Sequence, residues 1–155
     1  MITNKLMIPK NEIEADKLTE TTDFLSSHGA ACCASFVRMF KPQFAPMVEA
    51  GIKLQTVRPM PKRMPKVGDK ISLRIWVDKP YRSKQRVLME TTISDVRPFE
   101  LRANYTMHVD GRELNSEERA AFAIADGFVS PTQLYNWFDA EHGLPFYGIV
   151  IHWHN

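Results

Sequence analysis

The chain has 155 residues, a length that fits one domain, because two halves of that size would each bury too little apolar surface to stand alone. Hydrophobic residues make up 44% and charged residues 25%, which is globular composition and excludes a disordered or collagen-like chain. The formal net charge of +2 hides a separation: from Lys53 to Arg86 eleven Lys/Arg stand against Asp69 and Asp78, leaving seven net negative charges for the rest. Such polarity is either a solvated face of alternating strands or a surface turned toward phosphates.

Residues 1–34 read as an N-terminal extension. Met1 to Glu20 mixes Lys with carboxylates and has no apolar run, so no secretory leader is expected. Nowhere does the chain approach the roughly 18 apolar residues of a membrane span, and no membrane partner is expected. Asn11 to Ser27 has the spacing of one amphipathic helix, with Ile13, Leu18 and Leu25 inward and His28-Gly29 ending it. Cys32 and Cys33 are adjacent, which permits only a strained disulfide, and no Cys/His set of zinc spacing surrounds them. They are expected to be reduced and buried, in a cytoplasmic protein.

From residue 35 onward the pattern is mixed. Ala34 to Phe40 is β-favouring, Pro42 opens a short helix with Phe44, Met47 and Val48 on one face, and Gly51 ends it. Lys53 to Arg58 reads as a strand cut off by the proline-rich turn Pro59 to Pro65, and Val67-Gly68-Asp69 as a tight turn. In the strand that follows, Ile71, Leu73 and Ile75 alternate with Ser72, Arg74 and Trp76. Asp78 to Gln85 is a polar connection and Val87 to Val96 a further strand. Pro98 to Gly127 is expected to hold one or two helices, the better one starting at Ser116-Glu-Glu-Arg. Ser130-Pro131 is a helix start, an N-cap hydroxyl followed by proline at the first position. That helix carries Leu134, Trp137 and Phe138 inward to about His142-Gly143, and Phe146 to Trp153 is a final apolar strand. Non-sequential strands with interspersed helices predict an α+β fold rather than a doubly wound sheet.

Three stretches together resemble the ASCH family of the PUA-like superfamily, in versions common in phages and prophages. They are Phe40-Lys-Pro-Gln-Phe44 with Gly51-Ile-Lys53-Leu-Gln-Thr56-Val-Arg58-Pro59; then Lys66-Val-Gly68-Asp69; then Asp126-Gly-Phe128 with Trp137-Phe138, Gly143-Leu-Pro145-Phe146 and Ile151-His-Trp153. The resemblance covers about residues 35 to 154 and assigns 35–155 to the ASCH domain. It implies a PUA-like mixed β-barrel flanked by short helices, with a cleft beside the strand that bears Lys53, Thr56 and Arg58. It also implies RNA or a modified nucleoside as partner. In small members that deacylate N4-acetylcytidine, a Lys, a Thr and a Glu form the site. Lys53 and Thr56 match the first two, and the third falls nearest Asp126, one methylene shorter.

Amide hydrolysis of an acylated cytosine needs a nucleophile, a proton acceptor and a donor for the leaving amine. Thr56 is the candidate nucleophile, Lys53 the base and Asp126 its acid/base partner, with no metal and no cofactor required. Three positions apart on a regular strand, Lys53 and Thr56 face opposite sides, so Lys53 must lie at an irregular first position. Arg58, Lys62 and Arg63 are expected to depress the Lys53 pKa. Substrate or RNA contacts are expected from Arg58, Lys62, Arg63, Arg74, Trp76, Tyr81 and Arg82, since aromatics among basic residues suit stacking of single-stranded bases. The plainer alternatives are a solvated Lys53, an Arg58 paired with Asp69, and Asp126 as a turn or cap residue. Trp137, Phe138, Phe146 and Trp153 are expected core. His152 and His154 share a strand face but lack a third metal ligand. A non-catalytic RNA-binding domain, a ribonuclease and a partner-binding accessory protein are the competing functions.

Overall fold

The computed structural model describes residues 33–155, which pack as one unit. In chain order they form β1 (Ser35–Phe40), a 3₁₀ turn (Pro42–Phe44), α1 (Ala45–Glu49), β2 (Gln55–Pro59), β3 (Lys70–Trp76) and β4 (Gln85–Leu101). Then follow β5 (Met107–Val109), β6 (Arg112–Glu113), α2 (Ser116–Ala125), α3 (Pro131–His142) and β7 (Phe146–Trp153). The described residues are therefore mixed α+β, with seven strands and three short helices.

The 17 residues of β4 hold the sheet together. Its first half pairs antiparallel with β3, which in turn lies parallel to β1. After an irregularity between Ile93 and Asp95 its second half pairs antiparallel with β7 and, at the end, with β5. β7 is flanked by β4 on one side and β2 on the other, which explains its unbroken apolar run: Ile149, Val150 and Ile151 are all buried. Around them Val48, Ile71, Leu73, Ile93, Leu101, Leu134 and Phe138 complete the core.

Backbone contact is close where β2 pairs with β7. A Cβ built on Gly148 would stand 2.1 Å from the carbonyl oxygen of Arg58, an atom that cannot move without breaking the β2–β7 ladder. Gly148→Ala is expected to lower stability by about 1–3 kcal/mol, as overpacking of a closed core does, read as a lower denaturation midpoint. An unchanged midpoint would contradict this reading.

Several expectations need correcting. The stretch from Pro98 to Gly127 holds one helix, starting at Ser116 and within the one or two expected, but its first part continues β4 and then turns back as the β5–β6 hairpin. The hairpin turns on Asp110 and Gly111, both with positive φ, the Asp-Gly pair that two-residue turns favour. Lys53 precedes β2 rather than belonging to it. Cys33 is a free thiol as expected, but exposed rather than buried. Cys32 and the helix expected over 11–27 lie outside the described residues. No helix among the described residues is long and apolar enough to cross a membrane.

Candidate functional site

Two helix ends meet at the segment between α1 and β2. Gly51, at φ +68°, turns the chain out of α1, and the amides of Ile52 and Lys53 both donate to the carbonyl of Met47. One residue on, the Leu54 amide donates to the carbonyl of Ala125 at the end of α2. Pinned on both sides, the segment leaves Ile52 and Leu54 exposed and drives Lys53 inward, to 2% exposure.

α2 presents the partner. Asn115 caps its start, accepting from the Glu118 amide at 2.9 Å while the Glu118 carboxylate accepts from the Asn115 amide at 2.8 Å. At its other end the Gly127 amide donates to Ile124 O and the Phe128 amide to Ala123 O, with Gly127 at φ +90°: a Schellman turn read from Asp126-Gly-Phe128. Asp126 is thus a cap residue, and it is also the partner of Lys53. The Lys53 Nζ donates to the Asp126 Oδ1 at 3.0 Å and to the Asp126 backbone carbonyl. A cation at a helix C-terminus is favourably placed. The shorter acid reaches the lysine because the helix end carries it there. A Cβ on Gly127 would meet Lys53 Cδ at 3.2 Å and Phe44 Cδ1 at 3.1 Å, so only glycine lets this lysine lie against the turn.

Asp126 is 3% exposed, and burial pushes its carboxyl up; Lys53, Arg58 and the Val57 amide oppose that. Burial likewise pushes the Lys53 ammonium down, Asp126 opposing and Arg58 assisting in a minor way. The direction expected for Lys53 holds, but its main cause is desolvation, and neither Lys62 nor Arg63 contributes. The Lys53 amine lies over aromatic faces, with Nζ 5.0 Å from the Phe44 ring centre and 5.5 Å from that of Phe40.

Lys53, Thr56, Arg58 and Asp126 all line one cleft of about 490 Å³. Thr56 and Arg58 alternate along β2, and Lys53 joins them because it lies before the regular strand. In its wall Phe44 packs edge to face with Phe128 and Trp137, which are tilted against each other. Trp76 and Tyr81 form its rim, with ring centres 5.4 Å apart and Tyr81 90% exposed. Lys41 lies over Trp137 and bonds Glu141 at 2.5 Å on the same lining.

Arg58 does not pair with Asp69. Its Nη2 donates to Met39 O at 2.8 Å and its guanidinium lies over Phe40, while Asp69 instead accepts the amides of Lys66 and Ala34 at the Val67-Gly68 turn. Burial, then Arg38, lowers the Arg58 pKa to about 10. The other basic residues predicted as contacts, Lys62, Arg63, Arg74 and Arg82, lie outside the cleft lining. Arg74 is taken up by Ser72, Gln85 and Glu90; Arg63 lies over Phe36; Lys62 and Arg82 are exposed. Phe138, Phe146 and Trp153 are core as expected, whereas Trp137 is half-buried and faces the cleft. No group of three or more His, Cys, Asp or Glu with metal-binding geometry occurs among the described residues.

Sequence reasoning missed Phe40, Phe44 and Phe128 as the floor and wall of the site, and Arg38 beside Arg58. Phe36-x-Arg38-x-Phe40 has the period of one strand face, which was the available signal. No family model, curated protein or solved structure matches this chain.

Proposed function

We propose that this chain is an ASCH-type domain of the PUA-like superfamily that binds a nucleobase or nucleoside in the cleft and deacylates N4-acylated cytidine. The observation that carries the reading is convergence: Lys53, Thr56 and Asp126, the residues singled out by resemblance to the hydrolases, line one cleft with Lys53 and Asp126 in contact. Its volume lies in the range of small-molecule sites, and its apolar aromatic walls suit a planar base. The mixed sheet with helices around it is compatible with the barrel of that superfamily.

The chemistry uses the buried pair as a shared-proton couple, which burial biases toward the neutral amine and acid. The Thr56 hydroxyl attacks the acyl carbon and passes its proton to the Lys53 amine. The C–N4 bond breaks, and N4 takes the Asp126 proton and leaves as cytidine. The Lys53 ammonium and Asp126 carboxylate now face each other. Water then attacks the threonine ester, its proton goes to Asp126, and Lys53 returns a proton to Thr56 as the carboxylic acid departs. Every proton is accounted for and no metal takes part.

Turnover of N4-acetylcytidine by the purified full chain tests this, with cytidine as the measured product. Absence of turnover across acetyl, butyryl and benzoyl derivatives would sink the hydrolase reading. The second reading, a non-catalytic RNA-binding domain, is favoured by the exposed Tyr81 at the rim, between Lys79 and Arg82 in sequence. It predicts single-stranded RNA binding that weakens steeply with salt and depends on Tyr81 and Trp76.

A further inference from the structure

Three arginines gather on one face of β1 without an acid. Phe36, Arg38 and Phe40 alternate along that strand. The Arg38 and Arg63 guanidinium carbons lie 5.2 and 5.6 Å from the Phe36 ring centre, and that of Arg58 lies 5.0 Å from Phe40. Arg74, Arg86, Arg97, Arg102 and Arg112 each meet a carboxylate within 4.0 Å, whereas among the described residues none of the three does. The acid acting on Arg58 is Asp126, whose carboxylate is already engaged by Lys53 and the Val57 amide.

Arg38 and Arg58 are close enough to repel, and the Nε of each is buried without a hydrogen-bond partner. Like charges held together, partly desolvated and incompletely bonded, are unfavourable unless something offsets them. Stacking on Phe36 and Phe40 and two carbonyl bonds, Arg58 Nη2 to Met39 O and Arg38 Nη1 to Val37 O, fix the groups while leaving the other Nη of each uncommitted, and the planar guanidinium fork matches the oxygens of phosphate. Arg58 is also in the cleft lining, so an anion there would be continuous with whatever fills the cleft.

We propose that Arg58, Arg38 and Arg63 form a phosphate subsite at the edge of the cleft, so that it binds a nucleotide more tightly than the neutral nucleoside. This rests on reading the cleft as a nucleoside pocket, and it adds Arg38 to the binding residues. The phosphate is either the monoester of a mononucleotide or the diester of an RNA strand.

Binding to the full chain separates these, measured by calorimetry at low salt with cytidine, 5′-CMP, 3′-CMP and the dinucleotide CpC. At least one phosphate-bearing ligand is expected to bind about 10-fold or more tighter than cytidine, as charge-assisted hydrogen bonds to phosphate provide. That gain should fall in Arg58→Gln, Arg38→Gln and Arg63→Gln, and persist in Arg119→Gln, an arginine bonded to Tyr105 O outside the cluster. A gain confined to CMP assigns the monoester, and a gain with CpC the diester; either supports the subsite. Equal affinities for cytidine and all three phosphate ligands in the unaltered protein would overturn it without any variant having to fold. A gain indifferent to Arg38→Gln and Arg63→Gln would also overturn it. Cytidine bound without preference for phosphate leaves the hydrolase reading standing, whereas loss of N4-acylcytidine turnover alone leaves the phosphate subsite standing.

Discussion

Lys53→Ala and Asp126→Ala are each expected to destabilise the protein by about 3–5 kcal/mol, because each leaves the other ionisable group buried without its partner. Replacing both, as Lys53→Met with Asp126→Leu, is expected to restore most of that loss or to exceed the original stability, since apolar groups of similar volume need no desolvated charges. Denaturant midpoints at constant slope measure all three. Additive losses in the double variant would show that the two residues act independently, against their 3.0 Å contact.

The same pair gives stability a pH signature. Asp126 has a folded pKa above its ordinary 3.8, so the folded chain takes up this proton first and stability falls as pH rises from 3.8 through the folded value. Lys53 has a folded pKa below its ordinary 10.5, so the folded chain loses this proton first and stability recovers as pH rises from the folded value toward 10.5. The buried pair, holding one proton between its members, therefore weakens the fold most between these limits. The advantage of the double variant should be greatest in that middle range and shrink toward both ends. A fold that tolerates such a pair uses it for something other than stability.

The parts of this protein that local chemistry dictates were legible in the sequence. Ser130-Pro131 opens α3, with the Ser130 hydroxyl accepting from the Gln133 amide, and the apolar run from Phe146 to Trp153 is a strand buried within the sheet. Gly51 ends α1 with positive φ, as the glycine after a short amphipathic turn should. What could not be read was set by distant partners. β4 runs through Pro98 because the β7 pairing continues across it, against the proline's weak strand propensity. The position of Lys53 follows from amides bonded to Met47 and Ala125, residues 6 and 71 positions from the bonded amides, which no local pattern encodes. Asp126 looked like an ordinary cap before glycine, and it is one; its second role appears only when α2 ends against the segment before β2. The Asp110-Gly111 hairpin, by contrast, carries a local turn signal of its own, an Asp-Gly pair with both residues at positive φ.

Thr56→Ala is expected to reduce turnover of N4-acetylcytidine by roughly 10³-fold or more, as removal of a nucleophile does, while Thr56→Ser keeps a measurable fraction. Thr56 is buried in β2 and contributes no partner to the Lys53–Asp126 pair, so the fold should survive both changes. The pH dependence identifies the couple. Activity needs the pair to hold one proton between its two members: a second proton leaves Lys53 unable to accept, and loss of the first leaves Asp126 unable to donate. kcat/KM should therefore follow a bell whose acid limb lies above the ordinary aspartate value and whose alkaline limb lies below the ordinary lysine value, narrower than 3.8 to 10.5. Asp126→Asn should lower the plateau by about 10²–10⁴-fold and remove the alkaline limb, while the acid limb set by Lys53 remains. A profile flat across that interval, or a Thr56→Ala variant as active as the parent, would exclude these residues as the hydrolytic machinery. The cleft would then be a binding site alone, and the charge on its rim would be what determines its ligand.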